Sequence, residues 1–436
     1  MIKDFIIRNI KNPMFQRMLL YVFSDGISQA MPFLVLPILA NYLSTEDFGI
    51  ATNYNVLVQV VTALITLNTP TLLSINFFRI EKESLSMLIS NLIYLNGITF
   101  MTILVVFLLF HPLIEKALFI DFKWQISALV LVLFASINNL QLTKLRLENK
   151  VKAYGTQQFM KSASSAFLSL VFVITLAWRW EGRLAALVLS GVLVGIYSTY
   201  LLYKEKAIFA TFNFAEIKAY FNFSYPLLPK QLSTWLSSAF QKIFITTQIS
   251  LAANGLLSFA ITIASIFYLF ITSFFSAYTP QLYKTLAENE YNENNDYKLK
   301  LVKTSYLFLA AFAGLLFLGY FSVKIFLINF FNPDYRDAIQ FLPYLLISQF
   351  LQVIYLLLTS YITFHKKTKI IGILTMIMTL ITVILNYWMI TYYNSMGAVY
   401  ATLIMAIITI FPLYYFSNKI CPMPWFSKEI FNTKQV

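Results

Sequence analysis

Long apolar stretches without a charged residue dominate the chain and predict helices that cross a membrane. Four of them cover residues 48–78, 84–114, 243–283 and 370–418. A spanning helix needs about 20 apolar residues, so the first two stretches hold one helix each and the last two hold two each. With the shorter stretches, the pattern predicts an all-α polytopic membrane protein of about twelve spans, near residues 18–42, 55–78, 87–110, 126–145, 162–178, 184–203, 225–250, 255–283, 302–323, 339–364, 370–392 and 397–417.

The first predicted span, residues 18–42, is expected to stay in the protein as a helix. It is longer than the h-region of about 7–15 residues that is typical of a signal peptide, and further spans follow it. In the sixth predicted span, Gly191 and Gly195 form a small-xxx-small pair, which predicts close packing against another helix.

The second half of the chain repeats the first at a shift of about 205–217 residues. LSTEDFGI matches ISLAANGLLSF, which pairs Gly49 with Gly255, and EGRLAAL matches SMGAVYAT, which pairs Gly182 with Gly397. Six spans per half is an even number, so the two halves have one orientation and are related by an axis along the membrane normal. We expect two six-helix lobes with a binding cleft between them: an N-terminal lobe (1–203), a cytoplasmic linker (204–221) and a C-terminal lobe (222–436).

Composition supports a membrane protein and gives no sign of metal or thiol chemistry. Hydrophobic residues make up 59% of the chain and charged residues 12%, against about 45–50% and 25% in soluble domains. The single cysteine, Cys421, cannot form a disulfide within the chain, and His111 and His365 have no ligand spacing around them. We therefore expect no metal site, no cofactor and no catalytic triad.

The net charge of +13 is explained by topology and gives no reason to expect nucleic-acid binding. Alternate loops counted from the N-terminus, with both ends, hold 25 of the 32 Lys and Arg residues, and Lys242 lies within a span. Basic residues mark the cytoplasmic side, so both termini are predicted to be cytoplasmic. The opposite loops hold six basic residues: Lys116, Lys123, Arg179, Arg183, Lys324 and Arg336.

Several polar side chains within the spans are candidates for a transport path. Lys242 is the deepest cation, and a lysine at the centre of a spanning helix costs about 2.5–3.5 kcal/mol unless it meets water or an anion. Amides are numerous as well and either join helices or line the path. Four more cations lie near the cytoplasmic ends of spans, either to bind an anionic head group or to snorkel as anchors: Arg79, Arg146, Lys161 and Lys230.

Asp25 is the only acidic residue well inside a predicted span. Three roles remain open for it: a proton or cation relay, the counter-ion of Lys242, or a cap on a first helix broken near Pro32. Aligned through Gly49 and Gly255, the two charges differ by eleven residues, or about 16 Å of helical rise. A direct ion pair between Asp25 and Lys242 is therefore not expected, and we expect separate roles.

Five segments in order resemble the polysaccharide exporters of the multidrug/oligosaccharidyl-lipid/polysaccharide (MOP) superfamily, in particular O-antigen flippases of the Wzx class. These segments are NYLSTEDFGI, LTKLRLENKVKAYG, FSYPLLPKQLSTWL with SAFQKIFI, PDYRDAIQFLPYLLISQFLQ, and ILNYWMITYYNSMGAVYATLI. Many members carry an Asp–Arg pair where this chain has Gln241 and Lys242. The cation is kept here and the acid is lost, which argues against a role that needs a carboxylate at this point.

The resemblance implies a two-lobed, MATE-like flippase of the bacterial inner membrane that is not an enzyme. Its substrate would be an undecaprenyl-pyrophosphate-linked O-antigen repeat unit, moved to the outer leaflet by alternating access. Membrane lipid, an O-antigen polymerase and a chain-length regulator would be its partners, and an ion gradient of unspecified ion its energy source.

Two other functions remain open at this point. A cation or drug antiporter of the same superfamily should have several embedded carboxylates, and the chain has Asp25 alone. A membrane polysaccharide polymerase should have a sizeable outer loop, but the predicted outer loops are short and the longest loop, residues 284–300, is cytoplasmic.

The asymmetry of loop charge predicts that both termini and the 284–300 loop face the cytoplasm. Reporter fusions at each end, together with labelling of single cysteines placed in the loop by an impermeant reagent, measure this directly. A C-terminus on the outer side would contradict the even number of spans.

Overall fold

The computed structural model describes residues 13–78, 80–208, 212–225, 228–289 and 296–427, and all regular structure in them is helical. The expected all-α class is confirmed. Thirteen α-helices are described: α1 Pro13–Leu39, α2 Thr45–Thr66, α3 Thr69–Asn76, α4 Lys82–Leu118, α5 Phe122–Leu147, α6 Val151–Leu170, α7 Arg179–Lys204, α8 Phe214–Ser224, α9 Leu228–Gln248, α10 Leu251–Glu288, α11 Asp296–Phe330, α12 Leu342–Phe364 and α13 Thr368–Ile420. A π-helical turn, Val171–Thr175, ends α6, and a 3₁₀ helix, Pro333–Gln340, precedes α12.

The described helices match a protein of about twelve spans. Nine of them are long and apolar enough to cross a membrane, and the apolar segment Phe23–Leu39 of α1 adds a further, shorter candidate. The last predicted pair of spans forms α13, which is interrupted at Asn394 (φ 52°, ψ −140°). These angles are strained for any residue but glycine. Here the chain reverses within one residue, and Gly397 leaves room for the carbonyl group of Met389.

Two elements differ from the predicted pattern. The second span begins at Thr45, earlier than expected. It breaks at Leu67 and Asn68, which both adopt left-handed backbone angles (φ 43° and 58°), and α3 then begins at Thr69 with Pro70 in its first turn. The predicted linker is partly helical, because α8 begins within it. Asn213 caps α8 by accepting hydrogen bonds from the backbone N–H groups of Ala215 and Glu216.

Packing divides the described residues into a first unit, 13–255, and a second unit, 256–427. In the first unit the core joins α2, α4, α5, α7 and α9 around Tyr54 and Leu129, which are fully buried. In the second unit, α11 and α12 pack with the remainder of α10 and with α13 around a cluster of aromatic rings that includes Phe274, Phe308 and Phe312. The predicted lobe boundaries stay a prediction.

The start of α2 is held by a buried acid. Ser44 caps the helix by accepting from the backbone N–H of Asp47, and the Asp47 carboxylate accepts from the backbone N–H of Ser44. Arg179, at the start of α7, donates to the same carboxylate from Nε and Nη2 at 3.1 and 2.9 Å. Because Asp47 is only 3% exposed, this pairing neutralises a charge that would be costly to bury alone.

Glycines allow helices to approach closely at two places in the first unit. A Cβ at Gly49 would overlap the carbonyl group of Leu251, and a Cβ at Gly255 would overlap that of Thr45. The contact is reciprocal, since each glycine meets the residue four positions before the other. The glycines that the sequence repeat pairs therefore form the crossing of α2 and α10. The predicted close packing at Gly191 and Gly195 is confirmed as well, against the α5 residues Leu131 and Phe134.

The crossing predicts that Gly49→Ala and Gly255→Ala destabilise the protein. Each new methyl group meets backbone that cannot rotate away, and overpacking of this kind costs about 1–3 kcal/mol. The matched control is Gly314→Ala in α11, where a Cβ meets nothing within 4 Å and where alanine gains about 0.5–1 kcal/mol of helix propensity. Melting temperatures of the purified variants in one detergent measure the difference. Equal melting of Gly49→Ala and Gly314→Ala would show that the crossing is not tight.

Candidate functional site

An internal cavity of about 420 Å³ lies within the first unit, between α1, α2, α5, α6 and α7. Its wall mixes apolar side chains with hydroxyl groups, amides and two cations. None of the described residues that line it carries a carboxylate. The polar residues that line it include Asn138, Asn139, Lys161, Ser165 and Arg183.

The two cations of the cavity, Lys161 on α6 and Arg183 on α7, have no acidic partner among the described residues. Both are half-buried, and no described carboxylate lies within 4.0 Å of either. Arg183 donates from Nη1 to the hydroxyl of Ser169 at 2.5 Å, which fixes its position without neutralising it. Lys161 lies near the middle of the apolar segment Val151–Thr175, where an unpaired lysine costs about 2.5–3.5 kcal/mol, and Arg183 lies near the start of α7. The cavity is therefore lined by two positive charges and by no described carboxylate.

Asn138 brings an amide to the same cavity. Its side-chain oxygen accepts from Gln157 Nε2 at 2.8 Å and from Ser198 Oγ at 3.0 Å. Its amide nitrogen is buried and has no hydrogen-bond partner among the described residues. This nitrogen has no accessible surface, so it lies in the contact between α5, α6 and α7 that Asn138, Gln157 and Ser198 form and not at the open wall of the cavity.

A cluster of hydrogen-bonded side chains surrounds Asp25, near the turn between α5 and α6. The Asp25 carboxylate accepts from the Tyr154 hydroxyl at 2.7 Å and from Gln158 Nε2 at 3.2 Å, and Arg146 Nη2 lies 3.8 Å from it. Arg146 also donates to the Tyr154 hydroxyl and stacks on its ring, 4.9 Å from the centroid. The counter-ion of Asp25 is thus Arg146, in agreement with the expectation that it would not be Lys242.

One face of α6 connects this cluster with the cavity. Polar side chains recur along it at helical spacing, from the Asp25 cluster to the serine that holds Arg183. The interval is 15 residues, or about 22 Å of helical rise. The arrangement is a continuous polar stripe along a helix of spanning length, formed by Tyr154, Gln158, Lys161, Ser165 and Ser169.

A second network of charged side chains lies at the C-terminal end of α7. Lys144 contacts Glu205 and, at 3.1 Å, Glu148, while Lys150 lies 2.8 Å from Glu148 and 3.5 Å from Glu205. Burial alone would raise the pKa of Glu205, but the hydrogen bond from Lys144 and the charges of both lysines lower it. This network joins the ends of α5 and α7 and leaves none of its four charges unpaired.

The structure places the predicted cations in different settings. Lys161 lines the cavity, and Arg146 pairs with Asp25. Lys242 is half-buried on α9 and is not among the residues that line this cavity. Arg79 and the side chain of Lys230 lie outside the described part of the chain.

Arg183 is the site residue that the sequence analysis assigned to a loop. The turn before α7 ends at Trp178, so Arg183 already lies in the second turn of that helix. A signal was present in the sequence, because Arg183, Leu187, Ser190, Gly191 and Val194 recur at helical spacing and all line the cavity. The α6 stripe was hidden in the same way, since α6 begins at Val151, eleven residues before the predicted span.

The second unit contains a cavity of a different kind, with a volume of about 490 Å³. None of the described residues that line it is charged. Gln349 and Gln352, two of the amides that the sequence could not assign, face it from α12, with Tyr268 from α10 and Thr402 from α13. Its groups are uncharged donors and acceptors, such as those that bind hydroxyl groups.

Comparison with known proteins identifies the family. Residues 15–286 match the family described as polysaccharide biosynthesis protein. A protein of the Lsg locus of Haemophilus influenzae is 23% identical over 415 residues, which cover 93% of this chain and 98% of that protein.

Two solved structures share the fold at low identity. One is an inward-facing multidrug resistance MATE family transporter of the MOP superfamily (TM-score 0.69, 18% identity, 90% of this chain and 95% of that chain). The other is the lipid II flippase MurJ in an inward closed conformation (TM-score 0.69, 16% identity, 91% of this chain and 87% of that chain). These two neighbours are a transporter and a flippase, which agrees with the expectation of a protein that is not an enzyme. The chain belongs to the polysaccharide biosynthesis protein family.

Proposed function

We propose that this protein is a flippase of the bacterial inner membrane that moves undecaprenyl-pyrophosphate-linked O-antigen repeat units to the outer leaflet by alternating access. Its family gives the general role in polysaccharide biosynthesis. The fold it shares with a lipid II flippase supports a lipid-linked substrate. Both termini face the cytoplasm in this proposal.

The proposed substrate is anionic because the unpaired charges that line the first cavity are positive. Lys161 and Arg183 have no described counter-ion, whereas Asp25 is held by Arg146 and Tyr154. An interior with free positive charge attracts an anionic head group, and lysine and arginine are the usual ligands of phosphate. The uncharged cavity of the second unit, with its amides and hydroxyl groups, supports a substrate that also carries sugar.

The same observations weigh against the two alternatives. A cation or drug antiporter needs a carboxylate that is free to exchange a cation, and Asp25 is already paired with an arginine. A polymerase needs a sizeable outer domain. On the predicted outer side, the connection between α4 and α5 is residues 119–121, and the longest described connection, from α11 to α12, is a single 3₁₀ helix with its flanking residues.

Other contacts belong to the proposal as well. Lys242, Lys230 and Arg79 remain candidates to meet the head group in other steps of the transport cycle. An O-antigen polymerase and a chain-length regulator would take over the flipped repeat unit, and an ion gradient would drive the cycle.

Deletion of the gene in its own bacterium is expected to remove surface polysaccharide while the lipid-linked repeat unit accumulates on the cytoplasmic leaflet. Gel analysis of surface polysaccharide measures the first effect. The second is measured in everted and right-side-out vesicles by the accessibility of the lipid-linked sugar to an impermeant glycosidase. Single repeat units on the surface without polymer would favour the polymerase, and intact polysaccharide with increased drug sensitivity would favour the antiporter.

Asp25→Asn is expected to reduce export at least tenfold at equal membrane abundance, because it removes the carboxylate of α1 that accepts hydrogen bonds from Tyr154 and Gln158 of the α6 stripe. The partly exposed pair with Arg146 contributes about 0–1 kcal/mol, so the amount of folded protein should hardly change. Tyr154→Phe is the matched control, since it removes one hydrogen bond to Asp25 but keeps the charge. Export by Asp25→Asn at the wild-type level would make Asp25 a structural residue.

A further inference from the structure

The cavity of the second unit has a polar wall in which two amides have no partner. Gln349 and Gln352 lie near the middle of α12, a helix that is long and apolar enough to cross a membrane. They are three residues apart, so they share one face of the helix, and both line the cavity. Both are half-buried, and neither amide has a hydrogen-bond partner among the described residues. Water or a ligand must therefore satisfy them.

The hydroxyl groups of the same wall are left as acceptors. Five serine and threonine side chains each donate their single hydrogen to a backbone carbonyl three or four residues earlier on their own helix: Ser265, Ser348, Thr382, Thr402 and Thr409. A hydroxyl group has one donor and two acceptor lone pairs, whereas each amide has two N–H donors and an acceptor oxygen. The described wall therefore offers the cavity both donors and acceptors, and no charge.

We propose that this cavity binds an uncharged sugar, with Gln349 and Gln352 hydrogen-bonded to its hydroxyl groups and Tyr268 packed against its ring. The binding of sugar is argued from the geometry of the second unit alone. That the sugar is part of a lipid-linked repeat unit rests on the proposed function. The inference narrows that function to a class of sugar, because the residue bound here carries neither a free carboxylate nor a free amino group.

The chemistry of the wall favours a sugar over other parts of a lipid-linked substrate. An acyl chain offers no hydrogen bond to either amide. A phosphate or carboxylate group is an acceptor that needs a counter-charge when it is buried, and none of the described lining residues is a cation. A sugar hydroxyl group both donates and accepts, as this wall requires. Tyr268 adds a ring that is apolar over its face and polar at its hydroxyl.

The size of the cavity also suits a sugar. Its volume of about 490 Å³ lies within the range of about 300–1,000 Å³ that is typical of small-molecule sites. A smaller cavity of about 150 Å³ shares Tyr355, Thr382 and Thr409 with it, and none of its described lining residues is charged. On α13 this second cavity is lined by Thr375 and Thr379 as well. The uncharged wall is therefore longer than the first cavity alone, as a ligand of several sugar residues requires.

Binding of methyl glycosides to the purified full-length protein tests the site by saturation-transfer difference NMR. The protein is placed in phospholipid nanodiscs, because maltoside and glucoside detergents belong to the class of ligand under test. The probes are the methyl glycosides of glucose, galactose and N-acetylglucosamine, with methyl glucuronide and methyl galacturonide as acidic counterparts. At least one neutral glycoside is expected to bind. The uronides should bind about tenfold more weakly or not at all, a difference of about 1.4 kcal/mol or more, because no described cation of the wall offsets a buried carboxylate.

Substitution of the two amides tests their role. Gln349→Leu and Gln352→Leu keep a similar side-chain volume, and each is expected to weaken glycoside binding about fivefold or more, which corresponds to one hydrogen bond of about 1 kcal/mol. Gln340→Leu is the matched control, since it makes the same change at an exposed position of the same unit that does not line the cavity. Gln352→Arg should instead strengthen uronide binding about tenfold, because it supplies the missing cation.

Melting temperatures without sugar separate binding from a structural role. Amides that make no hydrogen bond within the protein do not hold its helices together, so Gln349→Leu and Gln352→Leu should melt no lower than Gln340→Leu. Lower melting of both would show that the amides join helices, and it would overturn the proposal. The same conclusion follows if no neutral glycoside binds, if the uronides bind equally well, or if both leucine variants keep wild-type affinity.

The binding assay and the deletion phenotype fail independently, since the assay needs neither lipid-linked substrate nor transport. A protein that binds neutral glycosides through these amides, while its deletion leaves surface polysaccharide intact, keeps the site and loses the proposed substrate. A deletion that abolishes polysaccharide, with a cavity that binds no glycoside, keeps the proposed function and loses the site.

Discussion

A charged side chain is stable within a membrane protein only if a counter-charge, water or a ligand reaches it. By this criterion the charges of the first unit fall into two groups, those with a counter-charge and those that face a cavity. Asp47 lies against Arg179, Glu205 against Lys144, and Asp25 against Arg146. The first two pairs lie at helix ends, and the third joins the interior of α1 to the end of α5. Lys161 and Arg183 are different, because they face a cavity and no described acid accompanies them. The unpaired charge among the described residues of this cavity is therefore positive, which supports the anionic substrate that we propose.

The crossing at Gly49 and Gly255 and the packing at Gly191 and Gly195 show how small residues shape such an interior. Helices in lipid gain little from apolar contact with each other, so close backbone approach supplies much of their attraction. Gly191 serves two purposes, since it packs on Leu131 and also lines the cavity. A larger side chain at position 191 would occupy both the contact with Leu131 and part of the cavity.

The sequence was sufficient to predict the helical class, the number of spans and the packing glycines, because each depends on local composition or on a repeat. It also separated Asp25 from Lys242 by helical rise alone. The site was predicted only in part. Lys161 was named, but Arg183 was counted with the outer loops, since hydropathy locates the apolar middle of a helix and α7 extends beyond it to Arg179. No pattern within a single helix could show that Asn138, Gln157 and Ser198 would join three helices in one buried hydrogen-bonded cluster.

The position of Arg183 depends on an irregular backbone next to it. The π-helical turn Val171–Thr175 follows α6, whose last turn contains Ser169, and such turns occur often at functional sites. Gly182 lets the start of α7 approach this turn, because a Cβ there would crowd the carbonyl group of Phe172. The next residue, Arg183, then reaches Ser169. A side chain at position 182 would push α7 outwards and separate the guanidinium group from the serine that holds it. The glycine that the repeat pairs with Gly397 at the reversal of α13 thus sets, in the first unit, the place of a cation in the cavity.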